Sequence, residues 1–155
     1  MKAIMNFASQ LGAKFSLNAA LTVNKAGRYF LLNEDLLNVA RPSFYYAGTY
    51  LGKVKNGKFF PSFNLLAKLA KSEARKVVVD KRTAWLFICG RDIFRTGILV
   101  VRGSWKKGDP VLVLNESGDC LGFGRIVVNL RGVARKSEVA VKNISDIGDF
   151  LRREI

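Results

Sequence analysis

Apolar residues recur at intervals of three and four near the start of the chain, which predicts an amphipathic helix over residues 2–14. Ile4, Phe7 and Leu11 share one face of this helix. The elements predicted after it are, in chain order, a hairpin with strands 19–23 and 28–32, a short helix over 34–40 capped by Asn33, an extended run over 44–54, a hairpin turn at Asn56-Gly57 and a leucine-rich helix from Ser62 to Ser72.

Short apolar runs separated by glycines dominate the second half of the chain. The runs 98–101 and 111–114 are aliphatic and predict short strands, as do 77–79, 121–128 and 140–141. Asp80 is predicted to cap a helix. Residues 147–151 are predicted to form a terminal helical turn. Six glycines are predicted at strand bends or reversals: Gly90, Gly97, Gly103, Gly108, Gly118 and Gly122.

These patterns predict an α+β fold in two parts. Residues 1–74 form an N-terminal α/β domain with a mainly antiparallel sheet, and residues 75–155 form a small glycine-cornered β-barrel. The boundary falls where the leucine helix gives way to the apolar strand at 77–79. No Pro/Gly/Ser-rich linker separates the parts, so we expect them to dock rigidly.

The charge balance indicates an anionic partner. The 155 residues include 26 Lys and Arg against 12 Asp and Glu, a net charge of +14, and both halves are basic. Such self-repulsion destabilises a compact chain unless an anion offsets it, and nucleic acid is the leading candidate. The moderately apolar N-terminus has neither a membrane-spanning run nor a signal-peptide core, so no membrane partner is expected.

Few residues are suited to bond chemistry. The chain has no histidine, which excludes Ser-His-Asp triads and histidine-ligated metals. Cys89 and Cys120 lack the spacing of zinc or redox motifs. Two acidic pairs are better explained structurally than as catalytic dyads: Glu34-Asp35 as a helix N-terminus, and Asp146 with Asp149 as a turn near the surface. We therefore expect no enzyme activity, cofactor or metal.

Basic residues form two groups in the second half of the chain. Arginine binds phosphate through two hydrogen bonds and also stacks on bases. The first of the two groups listed below therefore predicts an RNA-binding face. The alternative for this group is a solvated loop on a basic protein. The first group is Arg125, Arg131, Arg135, Lys136 and Lys142, and the second, which could border the same edge of the barrel, is Lys81, Arg82, Arg91, Arg95 and Arg102.

Aromatic residues are assigned mainly to the core. Trp85, Phe87 and Phe94 lie among aliphatic residues and are predicted to be buried rather than to stack on bases. Trp105, beside two lysines, is consistent with either an interface or a stacking role. The tyrosines at 45, 46 and 50 predict a sheet with one solvent-exposed face. The alternative is that these tyrosines form a protein interface.

Three motifs carry a resemblance to a known family. GRDIFRTGILVV, KKGDPVLV and GDCLGFG occur in that order between residues 90 and 124 and resemble the PUA domain, an RNA-binding module. GTYLGK at 48–53 and the run SDIGDFLR at 145–152 resemble one PUA family in particular, the Nip-seven family of large-ribosomal-subunit biogenesis proteins. The likeness extends over residues 48–152.

This resemblance implies a non-catalytic, monomeric RNA-binding factor that assists precursor ribosomal RNA maturation and large-subunit assembly. Its expected partners are U-rich or single-stranded RNA, the pre-ribosomal particle, other assembly factors and exosome subunits. The first forty residues match the family poorly and lack the longer leader of eukaryotic members, which favours an archaeal chain in the cytoplasm over a nucleolar one. The residues expected to bind RNA are Arg131, Arg135, Lys136 and Lys142 by motif match, with Arg125, Arg91, Arg95, Lys81 and Arg82 beside them.

Two alternatives remain open. One is an RNA-modification enzyme, or its accessory subunit, carrying a PUA module. This would need a catalytic domain in about half the chain without a histidine, a nucleotide fingerprint or paired carboxylates. The other is a permanent structural protein of the ribosome. Arg125 departs from the family pattern, because many PUA domains have a small residue at that position.

Overall fold

A computed structural model describes residues 1–40, 43–129 and 137–152, without the side chains of residues 150 and 151. Its helices and strands are α1 (Lys2–Gln10), β1 (Thr22–Lys25), β2 (Arg28–Leu31), α2 (Glu34–Val39), β3 (Thr49–Lys55), β4 (Lys58–Pro61), α3 (Phe63–Ala70), β5 (Lys76–Val79), α4 (Lys81–Ile88), β6 (Ile93–Phe94), β7 (Ile98–Arg102), β8 (Pro110–Leu114), β9 (Cys120–Ile126), β10 (Val139–Asp146) and α5 (Ile147–Arg152). The α+β class is as predicted.

The first sheet is an antiparallel meander in the order β1-β2-β3-β4. Its two tight turns, Ala26-Gly27 and Asn56-Gly57, have positive φ at both residues, as two-residue hairpins require. Two predicted strands are shorter than expected. Residues 19–21 form a 3₁₀ turn capped by Asn18, and β3 begins only at Thr49 rather than at 44.

The second sheet has six strands in the order β6-β10-β9-β8-β5-β7, with β5 and β8 parallel and the other neighbours antiparallel. The fifth strand predicted in this half, at 140–141, is in fact the eight-residue β10. The two-residue β6, which pairs with β10, was not predicted.

Side-chain capping begins three of the helices, and two of the caps, Asn33 and Asp80, are predicted by the sequence. The backbone N–H of Leu36 donates to Asn33 Oδ1 (2.7 Å), and that of Thr83 to Asp80 Oδ1 (2.7 Å). Ser62 Oγ accepts from the backbone N–H of Leu65 (3.2 Å) and so begins α3. Each contact satisfies a backbone donor that the helix itself leaves unpaired.

Strand β8 of the six-stranded sheet is buried on both faces, which is why its sequence is continuously apolar. Leu112 and Leu114 pack with α1 and α3 in one hydrophobic cluster, whereas Val111 and Val113 pack inside the curled sheet in a second cluster. The first cluster is shared between the two sheets, and the rings of Phe7 and Phe123 meet in it with 5.3 Å between their centroids.

The prediction that Asp146 and Asp149 form a turn near the surface is wrong for Asp146, which is buried. Asp146 is only 2% exposed and accepts hydrogen bonds from Asn143 Nδ2 (3.0 Å), the backbone N–H of Asp149 (2.9 Å) and Arg152 Nη2 (2.8 Å). The hydrogen bond that Arg152 donates to the Asp146 carboxylate raises the pKa of Arg152. Arg152 Nη1 also donates to the Ile88 carbonyl (2.6 Å), so this carboxylate anchors α5 to α4 and is structural rather than catalytic.

Candidate nucleic-acid interface

Arg95 lies at the base of the connection between β9 and β10. Its Nη2 donates to the carbonyl of Asn129 (2.7 Å), and its backbone N–H donates to the carbonyl of Glu138 (3.0 Å). Arg95 therefore binds residues on both sides of the segment 130–136. Arg131, Arg135 and Lys136 belong to that segment and lie outside the described residues, so their contact with RNA stays a prediction.

Arg125 and Lys142 are cross-strand partners on β9 and β10, and both side chains are exposed. Directly opposite residues have Cβ atoms about 4.5–5.5 Å apart, and two like charges in such a pair destabilise the sheet. Arg125 Nη1 makes one long hydrogen bond, 3.3 Å, to the carbonyl of Gly108. This pair concentrates positive charge on one exposed patch, where an anion would be stabilised.

The turn between β7 and β8 packs beside this pair. Gly108 N donates to the carbonyl of Ile126 (2.8 Å), and Trp105 Nε1 donates to the carbonyl of Val128 (2.7 Å). The turn therefore brings the exposed Lys106 and Lys107 to the end of β9. Trp105 packs against the inner cluster with its N–H engaged, which favours a structural role for it.

The start of α4 adjoins Arg95 from the other side. Asp80 N donates to the carbonyl of Gly97 (3.0 Å), the last residue of the 3₁₀ turn Arg95–Gly97. A Cβ on Gly97 would lie 2.0 Å from Thr83 Oγ1, so glycine is required here for close approach and not, as predicted, for a bend. Lys81 and Arg82 are exposed in the same first turn of α4.

Two predicted residues lie elsewhere. Arg91 precedes β6, at the opposite end of that strand from Arg95, and Arg102 ends β7 at the far edge of the sheet, opposite Lys76 on β5. The structure therefore gathers five of the predicted cations and adds two lysines that the sequence analysis did not assign to RNA. We define the basic rim as Lys81, Arg82, Arg95, Lys106, Lys107, Arg125 and Lys142.

The cations of the basic rim have no carboxylate partner among the residues that the structure describes. Within the described ranges, ion pairs join Lys14 to Glu73, Arg75 to Asp109, and Arg152 to Asp146 and Asp149, and none includes a rim residue. Arg75 shows the contrast, because its side chain is 11% exposed and its Nη1 also donates to the carbonyls of Gln10 (3.0 Å) and Pro110 (2.8 Å). The rim is thus suited to bind an external polyanion.

Other chemistry has little support in the part of the chain that the structure describes. Burial raises the pKa of Cys120 to about 11, so this thiol stays protonated and is a poor nucleophile at neutral pH. No group of three or more metal-ligating side chains is found among these residues. Within the same ranges, no helix has the length and apolar character needed to cross a bilayer.

The aromatic predictions are only partly right. Phe87 is fully buried, as expected, but Trp85 and Phe94, which were also assigned to the core, are 64% and 45% exposed. The helical periodicity of 81–88 leaves Trp85 on the side of α4 away from Phe87, and Phe94 is on the edge strand β6. Of the tyrosines, Tyr45 and Tyr46 are exposed and Tyr50 is half-buried.

The position of Lys81 and Arg82 predicts a gain in stability when they are removed. The helix dipole disfavours cations in the first turn, by about 0.3–1 kcal/mol each. Replacing both with alanine should therefore raise the free energy of unfolding, measured by urea denaturation. Lys106→Ala with Lys107→Ala, two exposed lysines in a turn, is the control for the loss of two charges alone and should give a smaller gain. An equal or lower stability for the double variant would contradict this electrostatic cost.

Comparison with known proteins gives a consistent assignment. The profile of the family described as UPF0113 PUA domain matches residues 75–155. A UPF0113 protein of Archaeoglobus fulgidus is 31% identical over 112 residues, which is 71% of this chain and 63% of that protein. The chain thus spans less than two thirds of this relative's length.

A vertebrate relative and a solved structure extend the match over most of the chain. The 60S ribosome subunit biogenesis protein NIP7 homolog of Danio rerio is 29% identical over 135 residues, covering 82% of this chain and 74% of that protein. The structure of a conserved PUA domain protein from Thermoplasma acidophilum superposes with a TM-score of 0.66 at 20% identity, over 99% of this chain and 93% of that one. The latter supports the fold alone.

Proposed function

The chain belongs to the UPF0113 PUA domain family, and from this we propose that it is an RNA-binding factor in large-ribosomal-subunit biogenesis that catalyses no reaction. The relative from Danio rerio is named for 60S subunit biogenesis, which supports the process. On this proposal the chain binds precursor ribosomal RNA, within a pre-ribosomal particle and alongside other assembly factors. As an archaeal-type chain it works in the cytoplasm, as a monomer.

The basic rim is the observation that carries the proposal. Its seven cations come from α4, the 3₁₀ turn, the turn before β8, and the strands β9 and β10, and no described carboxylate neutralises them. Phosphate contacts from Lys and Arg provide most of the affinity of proteins for RNA backbones. The residues 131, 135 and 136 are proposed to extend the rim.

The test measures RNA affinity as a function of salt. For single strands, the slope of log K against log salt is about −0.7 per phosphate contact. The triple variant Lys81→Ala, Arg82→Ala, Lys142→Ala should therefore flatten the slope for an oligouridylate by about 2. None of these three side chains donates a hydrogen bond to another described residue, so the fold should be retained.

The matched control removes three exposed lysines from the distant β3–β4 hairpin, Lys53, Lys55 and Lys58. The control should retain a slope close to that of the unmodified chain. Equal slopes for the two triple variants would place the RNA elsewhere. Co-sedimentation separates a transient factor, which should leave mature subunits at high salt, from a permanent ribosomal protein, which would stay.

A further inference from the structure

The outer face of α4 exposes a tryptophan with no partner among the described residues. Trp85 is 64% exposed, and neither a ring contact nor a hydrogen bond from its Nε1 is found within the described ranges. Large aromatic side chains bury about 150–250 Å² when they are enclosed, so an exposed indole is a substantial apolar surface in water. Leu86 beside it is also exposed.

This indole shares a helix face with two cations of the basic rim. Lys81 and Arg82 precede Trp85 by four and three residues, and residues at these spacings lie about 5–6 Å apart on one side of a helix. The same turn carries the positive end of the helix dipole. An apolar ring therefore lies within one helical turn of two positive charges that pair with none of the described carboxylates.

The faces of the indole are open to a ligand. Tyr45, the most exposed aromatic residue among those described, is by contrast engaged by a cation of the chain, because the Arg28 guanidinium lies 5.4 Å from the centre of its ring. No described cation is placed over Trp85 in this way. The partner that matches a flat apolar ring beside two cations is a nucleobase together with its own phosphates.

We propose that Trp85 is a stacking platform for one unpaired base of single-stranded RNA, and that Lys81 and Arg82 hold the phosphates next to that base. The inference rests on the proposed function, because it places part of the same RNA on α4. It commits to RNA rather than to a protein partner, since the surrounding charge is positive and no carboxylate in the described ranges pairs with it.

The experiment separates stacking from charge. Base stacking on an aromatic side chain contributes a factor between about 5 and about 150 in affinity. Trp85→Ala should weaken oligouridylate binding within that range at every salt concentration, with the salt slope unchanged. Trp85→Phe, which keeps a ring, should recover most of the affinity. Tyr45→Ala is the matched control, an exposed aromatic residue in the other sheet, and should bind normally.

Intrinsic fluorescence gives a second readout, because Trp85 and Trp105 are the only two tryptophans in the sequence. RNA should quench the emission, and the Trp85→Phe variant should lose most of the quenching. Normal RNA affinity and normal quenching in the Trp85 variants would overturn the stacking role and leave the proposed function intact. Normal RNA affinity with lost binding to an assembly protein would also overturn it. Absence of RNA binding by the unmodified chain would overturn both.

Discussion

Reversing three charges of the basic rim, with Lys81→Glu, Arg82→Glu and Lys142→Glu, is expected to weaken RNA binding at least about a hundredfold. A Lys or Arg beside an anionic lipid surface contributes about 1 kcal/mol. With the same order of magnitude for RNA phosphates, neutralising three such residues already costs about 3 kcal/mol, and charge reversal adds repulsion. The dissociation constant for an oligouridylate at one fixed salt concentration is the measurement.

The matched reversal at Lys53, Lys55 and Lys58 changes the net charge by the same amount. It should weaken binding far less, because long-range charge effects are screened beyond about 8–10 Å at physiological salt. Circular dichroism and urea denaturation establish that both variants are folded. If the two reversals weaken binding equally, the net charge of the chain and not the basic rim determines its affinity for RNA.

Gly122→Ala is expected to destabilise the fold by about 2–6 kcal/mol. Gly122 has a φ of +149°, and a Cβ there would lie 2.0 Å from the carbonyl oxygen of Ser145 on β10. The strained backbone conformation costs about 1–3 kcal/mol, and the overpacking against β10 adds about 1–3 kcal/mol. Urea denaturation gives the change in the free energy of unfolding.

Gly118→Ala is the control for backbone conformation alone. Gly118 has a φ of +85° in the turn before β9, but a Cβ there meets no atom within 4 Å. Its cost should be about 1–2 kcal/mol, the penalty of a left-handed conformation for alanine. Similar losses for the two variants would show that the close approach of β9 and β10 contributes little.

Short-range signals in the sequence predicted much of the fold. The caps Asn33 and Asp80 each act on a backbone donor three residues away, and the Asn56-Gly57 turn depends on two residues alone. The leucine face of α3 is buried as its spacing indicates. Such features need no knowledge of which elements pack together, so one sequence is sufficient to find them.

Features that depend on distant partners were missed or misassigned. The second half of β10 is polar, and Asp146 is buried only because Arg152 and Asn143 surround it. The apolar character of residues 84–88 does not indicate which side of α4 meets the sheet, so Trp85 was assigned to the core. β6 has two residues and is defined by its pairing with β10.

The sequence predicted which basic residues belong to the candidate site but not how these residues are arranged in space. Sequence analysis named Arg95, Arg125 and Lys142, but their proximity follows from cross-strand register and from the contacts of Arg95 with Asn129 and Glu138. Arg91 was grouped with Arg95 because the two are close in sequence, but β6 lies between them, and its contact with RNA stays a prediction. Lys106 and Lys107 belong to the rim because their turn packs against the end of β9, and no local sequence pattern indicates that packing.

The central claim, that RNA binds along the basic rim, is tested most directly by mapping the contact residues on the unmodified chain. Amide resonances of the ¹⁵N-labelled protein should be followed by NMR while an oligouridylate is added. Saturable shifts are expected at residues 81–85, 95, 106–108, 125 and 142, with little change at 53–58. Shifts centred on the β3–β4 hairpin, or no saturable shift at the rim, would contradict the account.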